Sequence, residues 1–244
     1  MEFKNHKIKE VVCLFRFDTS LETSWNVGKF ADFYKEIEKF GFTKTEERRP
    51  VQVKFNISND PKDFSSETIQ NDLQIIYRTE EDYDAIIMSK DSLSVHALNK
   101  YDGWDTFFPK IEKYLGIYFD LNLGRRLIDV QVMYINEFSI DIEEKLVDYL
   151  KFVPDMSSFS KGREINHVFN SDFFINDTIR VLINTICQTK TSAPPKKMVT
   201  VQINCTGTYP DDAADWQTLA NNVHVNAVEV FKTVITENFK NKLR

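Results

Sequence analysis

Residues 51–57 alternate without a break: Val51, Val53, Phe55 and Ile57 are apolar, and Gln52, Lys54 and Asn56 between them are polar. A period of two puts each set on its own face, so the segment reads as a half-buried β-strand. The signal recurs at Val199, Val201, Ile203 and Cys205, which alternate with Thr200, Gln202, Asn204 and Thr206. Further strand candidates are 9–18, 72–79, 83–90 and 92–98, then 126–138, 163–175 and 178–189. That makes roughly nine strands, most of them joined by short turns.

Apolar residues at three- and four-residue steps mark helices instead. Phe30, Phe33, Tyr34, Ile37 and Phe40 form one stripe, and Trp104, Phe107, Phe108, Ile111, Tyr114, Leu115, Tyr118 and Phe119 another. Ile142, Leu146, Tyr149 and Leu150 make a short third. The last, from Trp216 through Leu219, Val223, Ala227 and Val230 to Phe239, predicts one helix of about 26 residues and roughly 39 Å. Asp141 with Glu144, and Asp211, Asp212 and Asp215, stand where helix N-termini favour acids, and read as caps. Residues 58–71, 154–162 and 191–197 read as irregular.

The order of these elements is written twice, over 9–121 and 125–241. The expected fold is α+β: two pseudo-symmetric β-α-β-β-β-α repeats, 1–121 and 122–244, forming a curved, mostly antiparallel sheet with long helices packed on one face. The junction near Asn122-Leu123-Gly124 is too short for the halves to swing independently, so they are expected to share one core.

A hydrophobic content of 42% with 20 Phe supports a well-filled interior. Thirty-one basic against 37 acidic residues give a net charge of −6, so no overall positive field draws the chain to nucleic acid. Cys13, Cys187 and Cys205 lie in apolar strand-like runs without CxxC spacing and read as buried thiols. The N-terminus lacks the apolar core of a signal peptide, and no run approaches the roughly 18 apolar residues of a membrane span, so a cytoplasmic protein is expected.

Catalytic and cofactor motifs are missing. None of the 7 glycines falls in a GxGxxG or GxxxxGK arrangement, and the 4 histidines show no HxH or HExxH spacing. No GxSxG elbow occurs. No catalytic residue, metal or cofactor is assigned. His224 reads as a hydrogen-bonded histidine at the flank of the last stripe.

Two surfaces remain as candidates. The polar sheet face would present Gln52, Lys54, Asn56, His96, Gln202, Asn204 and Thr206. A pocket between the curved sheet and the long helices would be lined by Tyr77, Tyr83, Tyr134 and Arg78, since aromatic-lined concavities suit ligands.

Ile8-Lys9-Glu10-Val11-Val12-Cys13-Leu14-Phe15-Arg16-Phe17, Val132-Met133-Tyr134-Ile135-Asn136-Glu137-Phe138, and the ending from Leu219 through His224 and Phe231 to Ile235-Thr236 carry a family resemblance. The chain resembles a sporadically distributed, functionally uncharacterised prokaryotic family with a Glu-Val-Val opening strand, a central Tyr-x-Asn strand and a closing His-containing helix that ends Phe-x-x-x-Ile-Thr. The resemblance spans the chain and implies no catalytic residues. Patchy distribution is associated with defence and toxin–antitoxin genes.

The primary expectation is a non-enzymatic recognition or regulatory protein, with a protein partner or a second copy bound and no membrane contact. The alternative is a small-ligand binder or enzyme using the enclosed pocket. Nucleic-acid binding through the sheet face ranks third, because the charge opposes it.

Overall fold

The structure, a computed structural model, describes residues 8–18, 25–56, 65–70, 72–123, 126–155, 166–190, 196–208 and 215–243, without the side chains of 51–56, 65–70 and 166. The strands are β1 (Ile8–Asp18), β2 (Phe42–Arg48), β3 (Val51–Asn56), β4 (Ser65–Gln70), β5 (Gln74–Thr79), β6 (Asp84–Met88), β7 (Ser92–Leu98), β8 (Arg126–Asp141), β9 (Asn166–Asn176), β10 (Ile179–Lys190) and β11 (Lys196–Thr208). The helices are α1 (Gly28–Ile37), α2 (Trp104–Asp120), α3 (Trp216–Val234) and α4 (Glu237–Leu243).

The fold is α+β. Nine strands form one antiparallel sheet in the order β2-β5-β6-β7-β1-β8-β11-β10-β9, and β3 pairs with β4 alone in a two-stranded sheet. The first strands of the two chain halves, β1 and β8, meet at the middle, with Cys13 opposite Val132. From that seam β7, β6 and β5 follow on one side and β11, β10 and β9 on the other. Buried apolar residues from both halves belong to one cluster.

Strand alternation decides which side chains meet the helices. Val11, Cys13 and Phe15 of β1 lie across from Ala97, Val95 and Leu93 of β7, and from Tyr134, Val132 and Val130 of β8. On this face α3 packs on β8 and β11: Leu219 and Val223 rest over Gly207, and Trp216 sets its ring edge-on to Phe15. Phe17 stacks on Tyr118 of α2, and Phe33 of α1 reaches both Tyr118 and Tyr77. Burying each such aromatic contributes roughly 1.5–3 kcal/mol, which is why these stripes fold as helices. Cys13, Cys187 and Cys205 are buried thiols outside any disulfide, as their apolar surroundings predict. Asp215 caps α3 by accepting from the Gln217 backbone N–H.

Four sequence expectations are corrected. Residues 142–150 hold only a 3-10 turn at Leu146–Asp148, where the first half has α1. The stripe is only about two and a half turns long, and its backbone bonds outward instead: Lys151 N–H donates to Val234 O and Thr236 N–H to Tyr149 O. Those same bonds split the single 216–239 helix. Ile235 leaves the helical path to bridge Leu150, and Thr236 restarts the chain as α4, its hydroxyl accepting from Phe239 N–H. The irregular stretch 58–71 contains β4, and 42–48, unassigned from sequence, is the edge strand β2. Strand β3, though patterned like β11, lies outside the large sheet. Residues 156–162 and 191–195 of the expected loops lie outside the described residues.

Candidate functional site

The face of the large sheet turned away from α3 carries the alternate positions. On β11 these are Gln202, Asn204 and Thr206, opposite Ile135, Met133 and Gln131 of β8. Glu10, Val12, Leu14 and Arg16 of β1 follow, then Ser94 and His96 of β7. His96 therefore shares this face with Gln202, Asn204 and Thr206, across the two intervening strands β8 and β1. Gln52, Lys54 and Asn56 belong to the separate β3–β4 sheet, and their side chains lie outside the described residues. The predicted polar surface is thus split between two sheets.

This face is not uniformly wet. Val12, Ser94, His96 and Asp129 are all below 10% exposed. The polar ones are satisfied in sets, as buried polar groups must be. Arg16 Nε donates to Asp129 Oδ1 at 2.9 Å, and a second guanidinium nitrogen lies 2.6 Å from Oδ2. This fork raises the Arg16 pKa, chiefly through the hydrogen bond to the carboxylate. His96 Nδ1 lies 2.7 Å from Glu10 Oε1, and Nε2 lies 2.8 Å from Ser94 Oγ. The Ser94 hydroxyl also lies 3.5 Å from Ile87 O, so both ring nitrogens of His96 and the serine oxygen are held in one hydrogen-bonded series.

A serine, a histidine and an acid in hydrogen-bonded series have the order of a nucleophilic triad. Here Ser94 sits mid-strand, with β6 and β1 laddered on either side, so neighbouring backbone N–H groups are engaged and none is aimed at a developing oxyanion. The hydroxyl is also buried, at 6% residue exposure. The chain's structural effect is to fix the Glu10 carboxylate.

Glu10 opens onto a cavity of about 330 Å³ lined by Lys9, Glu10, Arg78, Asp82, Leu98 and Asn99. A second concavity, of about 270 Å³, shares Lys9 and Asn99 with it and adds Ile8 and Glu137. The start of β1, the end of β5 and the end of β7 supply the walls. Asp82 and Asn99 take left-handed backbone conformations, with φ of 54° and 56°, which Asn and Asp tolerate better than other L-residues. Asn99 N–H donates to Lys9 O at 2.6 Å and Leu98 N–H to Tyr83 O at 2.7 Å, tying the end of β7 to the start of β1 and to the β5–β6 connection.

The expected pocket between sheet and helices is replaced by packed side chains. Tyr77 is buried with its hydroxyl donating to Phe30 O, and burial raises its pKa. Tyr134 is buried between Tyr101, whose hydroxyl is 3.1 Å away, and His224 Nδ1 at 2.7 Å. Desolvation pushes Tyr101 up to about 12 and holds His224 down at about 4, so His224 is neutral near pH 7. The imidazole also stacks on Trp104 at 4.2 Å, which makes it the hydrogen-bonded boundary histidine anticipated from its place in the stripe. Tyr83 is exposed, with Lys100 over its ring. Of the four predicted lining residues, only Arg78 lines the cavity described above.

Glu10, Ser94, Lys9, Asp82 and Asn99 were not singled out from sequence. Ser94 was within reach, because it shares His96's parity on a recognised strand. The others meet only through strand register. Among the described residues no three His, Cys, Asp or Glu side chains cluster as metal ligands, and no helix is long and apolar enough to cross a membrane. No protein-family model matches the chain, and no curated protein matches it.

Proposed function

We propose that this chain is a non-catalytic recognition protein whose site is the cavity at the ends of β1, β5 and β7, and that it takes a small carboxylate or phosphate group on Arg78. The carrying observation concerns pairing. Around the cavity, Lys9 faces Glu137 at 3.5 Å, Glu10 holds His96, and Asp82 faces Lys44 at 3.4 Å. Arg78 has no such partner among the described residues. Its guanidinium presents a rigid fork of donors matched to carboxylate and phosphate, and a partly buried cation gains most from an anion that completes it.

Thermal melts and calorimetric titrations with mono- and dicarboxylates and inorganic phosphate test the reading. A ligand at 100 times its Kd should raise stability by about 2.7 kcal/mol. Arg78→Met should abolish that gain while leaving the unliganded protein within about 0.5 kcal/mol of wild type. Wild-type protein indifferent to every anion would count against it.

The finer architecture supports the same picture of a duplicated recognition unit. Strand order running outward from the β1–β8 seam, with α2 following β7 and α3 following β11, supports descent of residues 1–121 and 122–244 from one repeat with its long helices on one face. The resemblance to a sporadic prokaryotic family supports a regulatory setting such as defence or toxin–antitoxin control.

A further inference from the structure

The two edges of the large sheet are treated differently by the sequence. Edge β2 carries Lys44, Glu46, Glu47 and Arg48, charges of the kind that discourage another strand from adding. Edge β9, Asn166-His167-Val168-Phe169-Asn170-Ser171-Asp172-Phe173-Phe174-Ile175-Asn176, has no Lys, Arg, Glu or Pro. It is 11 residues long, and among the described residues only β10 pairs with it. Val168 is 59% exposed, Phe173 40%, Phe174 67% and Ile175 42%.

We propose that β9 is the seat of a second copy of this chain, joined antiparallel about a two-fold axis through Ser171 so that two nine-stranded sheets become one. Self-complementarity selects this partner and register. With Ser171 opposite itself, Val168 faces Phe174 of the other copy, Phe169 faces Phe173, and Asn170 faces Asp172. Every large apolar residue except Ile175 meets another, and the one acid meets an amide. Ile175 meets His167.

The neighbouring registers that keep each residue on its own face fail. Centred on Asn170, Val168 would face Asp172. Centred on Asp172, the two carboxylates would oppose each other, which is destabilising across a strand pair. Asp172 is already held by Arg180 of its own copy, which lowers its pKa and keeps the rim charge-balanced. The dimer does not depend on the anion site, since β9 and the cavity lie on opposite wings of the sheet.

Light scattering across a concentration series should show a dimer that Phe174→Lys and Val168→Asp each convert to monomer with an unchanged circular dichroism spectrum, the monomers melting below the wild-type dimer because association stabilises only the folded chain. Register is read by thiol trapping with oxidised glutathione. Directly opposed residues in antiparallel strands have Cα atoms roughly 4.5–5.5 Å apart, within disulfide range. Ser171→Cys should therefore cross-link to itself, and Asn170→Cys, which faces Asp172, should not. A wild-type monomer at every concentration overturns the proposal, as does a dimer indifferent to both edge substitutions. A dimer that cross-links through Asn170→Cys but not Ser171→Cys overturns the register.

Discussion

Gly207→Ala is a one-methyl probe of how α3 sits on the sheet. A Cβ at this position would lie 2.6 Å from Val223 Cγ2 and 2.7 Å from Leu219 Cδ1. Comfortable carbon contacts are about 3.5–4.0 Å, so both neighbours would have to retreat by roughly 1 Å. Neither can do so freely: Val223 is 0% exposed and Leu219 5%. Overpacking of this kind costs about 1–3 kcal/mol. For a chain of this size each kcal/mol corresponds to roughly 2–4 °C in Tm. Urea unfolding followed by circular dichroism should show a lowered midpoint with an unchanged slope. Val223→Ala in the Gly207→Ala background should recover part of the loss, a coupling of about 0.5–3 kcal/mol, because it removes the nearer obstacle. A wild-type midpoint for Gly207→Ala, or strict additivity in the pair, would mean that α3 does not rest on β11 through these side chains.

Three further outcomes are expected. Ser94→Ala should cost about 1–3 kcal/mol in denaturant titrations, because His96 Nε2 is left buried without its hydrogen-bond partner. His224 titrates near 6.5 unfolded and at about 4 folded, so only the unfolded chain gains its proton between those values. The stability it supports is full above pH 6.5 and falls as pH drops toward 4, by at most about 3 kcal/mol before solvent screening reduces it. His224→Gln should flatten that part of the pH–stability curve. Thr236→Ala removes the hydroxyl that bonds Asp148 O at 2.6 Å and caps α4, and should lower stability by about 0.5–2 kcal/mol, read from the same titrations.

Periodicity reports which face of an element is buried, and there it served well. Phe30, Phe33 and Ile37 did mark α1, and the stripe from Trp104 marked α2 to within a residue. It says nothing about which strand lies alongside. Val51–Asn56 and Val199–Thr206 have the same alternation, yet one pairs β4 in a small sheet and the other sits beside the central seam. Short stripes mislead for a related reason. Leu146, Tyr149 and Leu150 are buried as a helix would bury them, but a chain that exchanges its hydrogen bonds with residues 234–236 reaches the same burial without one. The cavity follows this rule. Arg78 was visible as a cation in a strand-rich segment, whereas its meeting with Lys9, Glu10, Asp82 and Asn99 depends on register across β1, β5 and β7 and on two left-handed residues.

The seam between β1 and β8 sets a schedule for synthesis. Strand β1 ends at Asp18, but its partner is complete only when Asp141 has emerged. At ribosomal rates of roughly 5–20 residues per second, the intervening stretch of about 120 residues takes some 6–25 s. Throughout that interval the first half carries β1 as an open edge, its Val11, Cys13 and Phe15 row ready to pair on the unoccupied side. The first β8 to arrive closes it. On a crowded message that strand need not belong to the same chain, so the seam is also where two nascent copies could exchange halves by domain swapping.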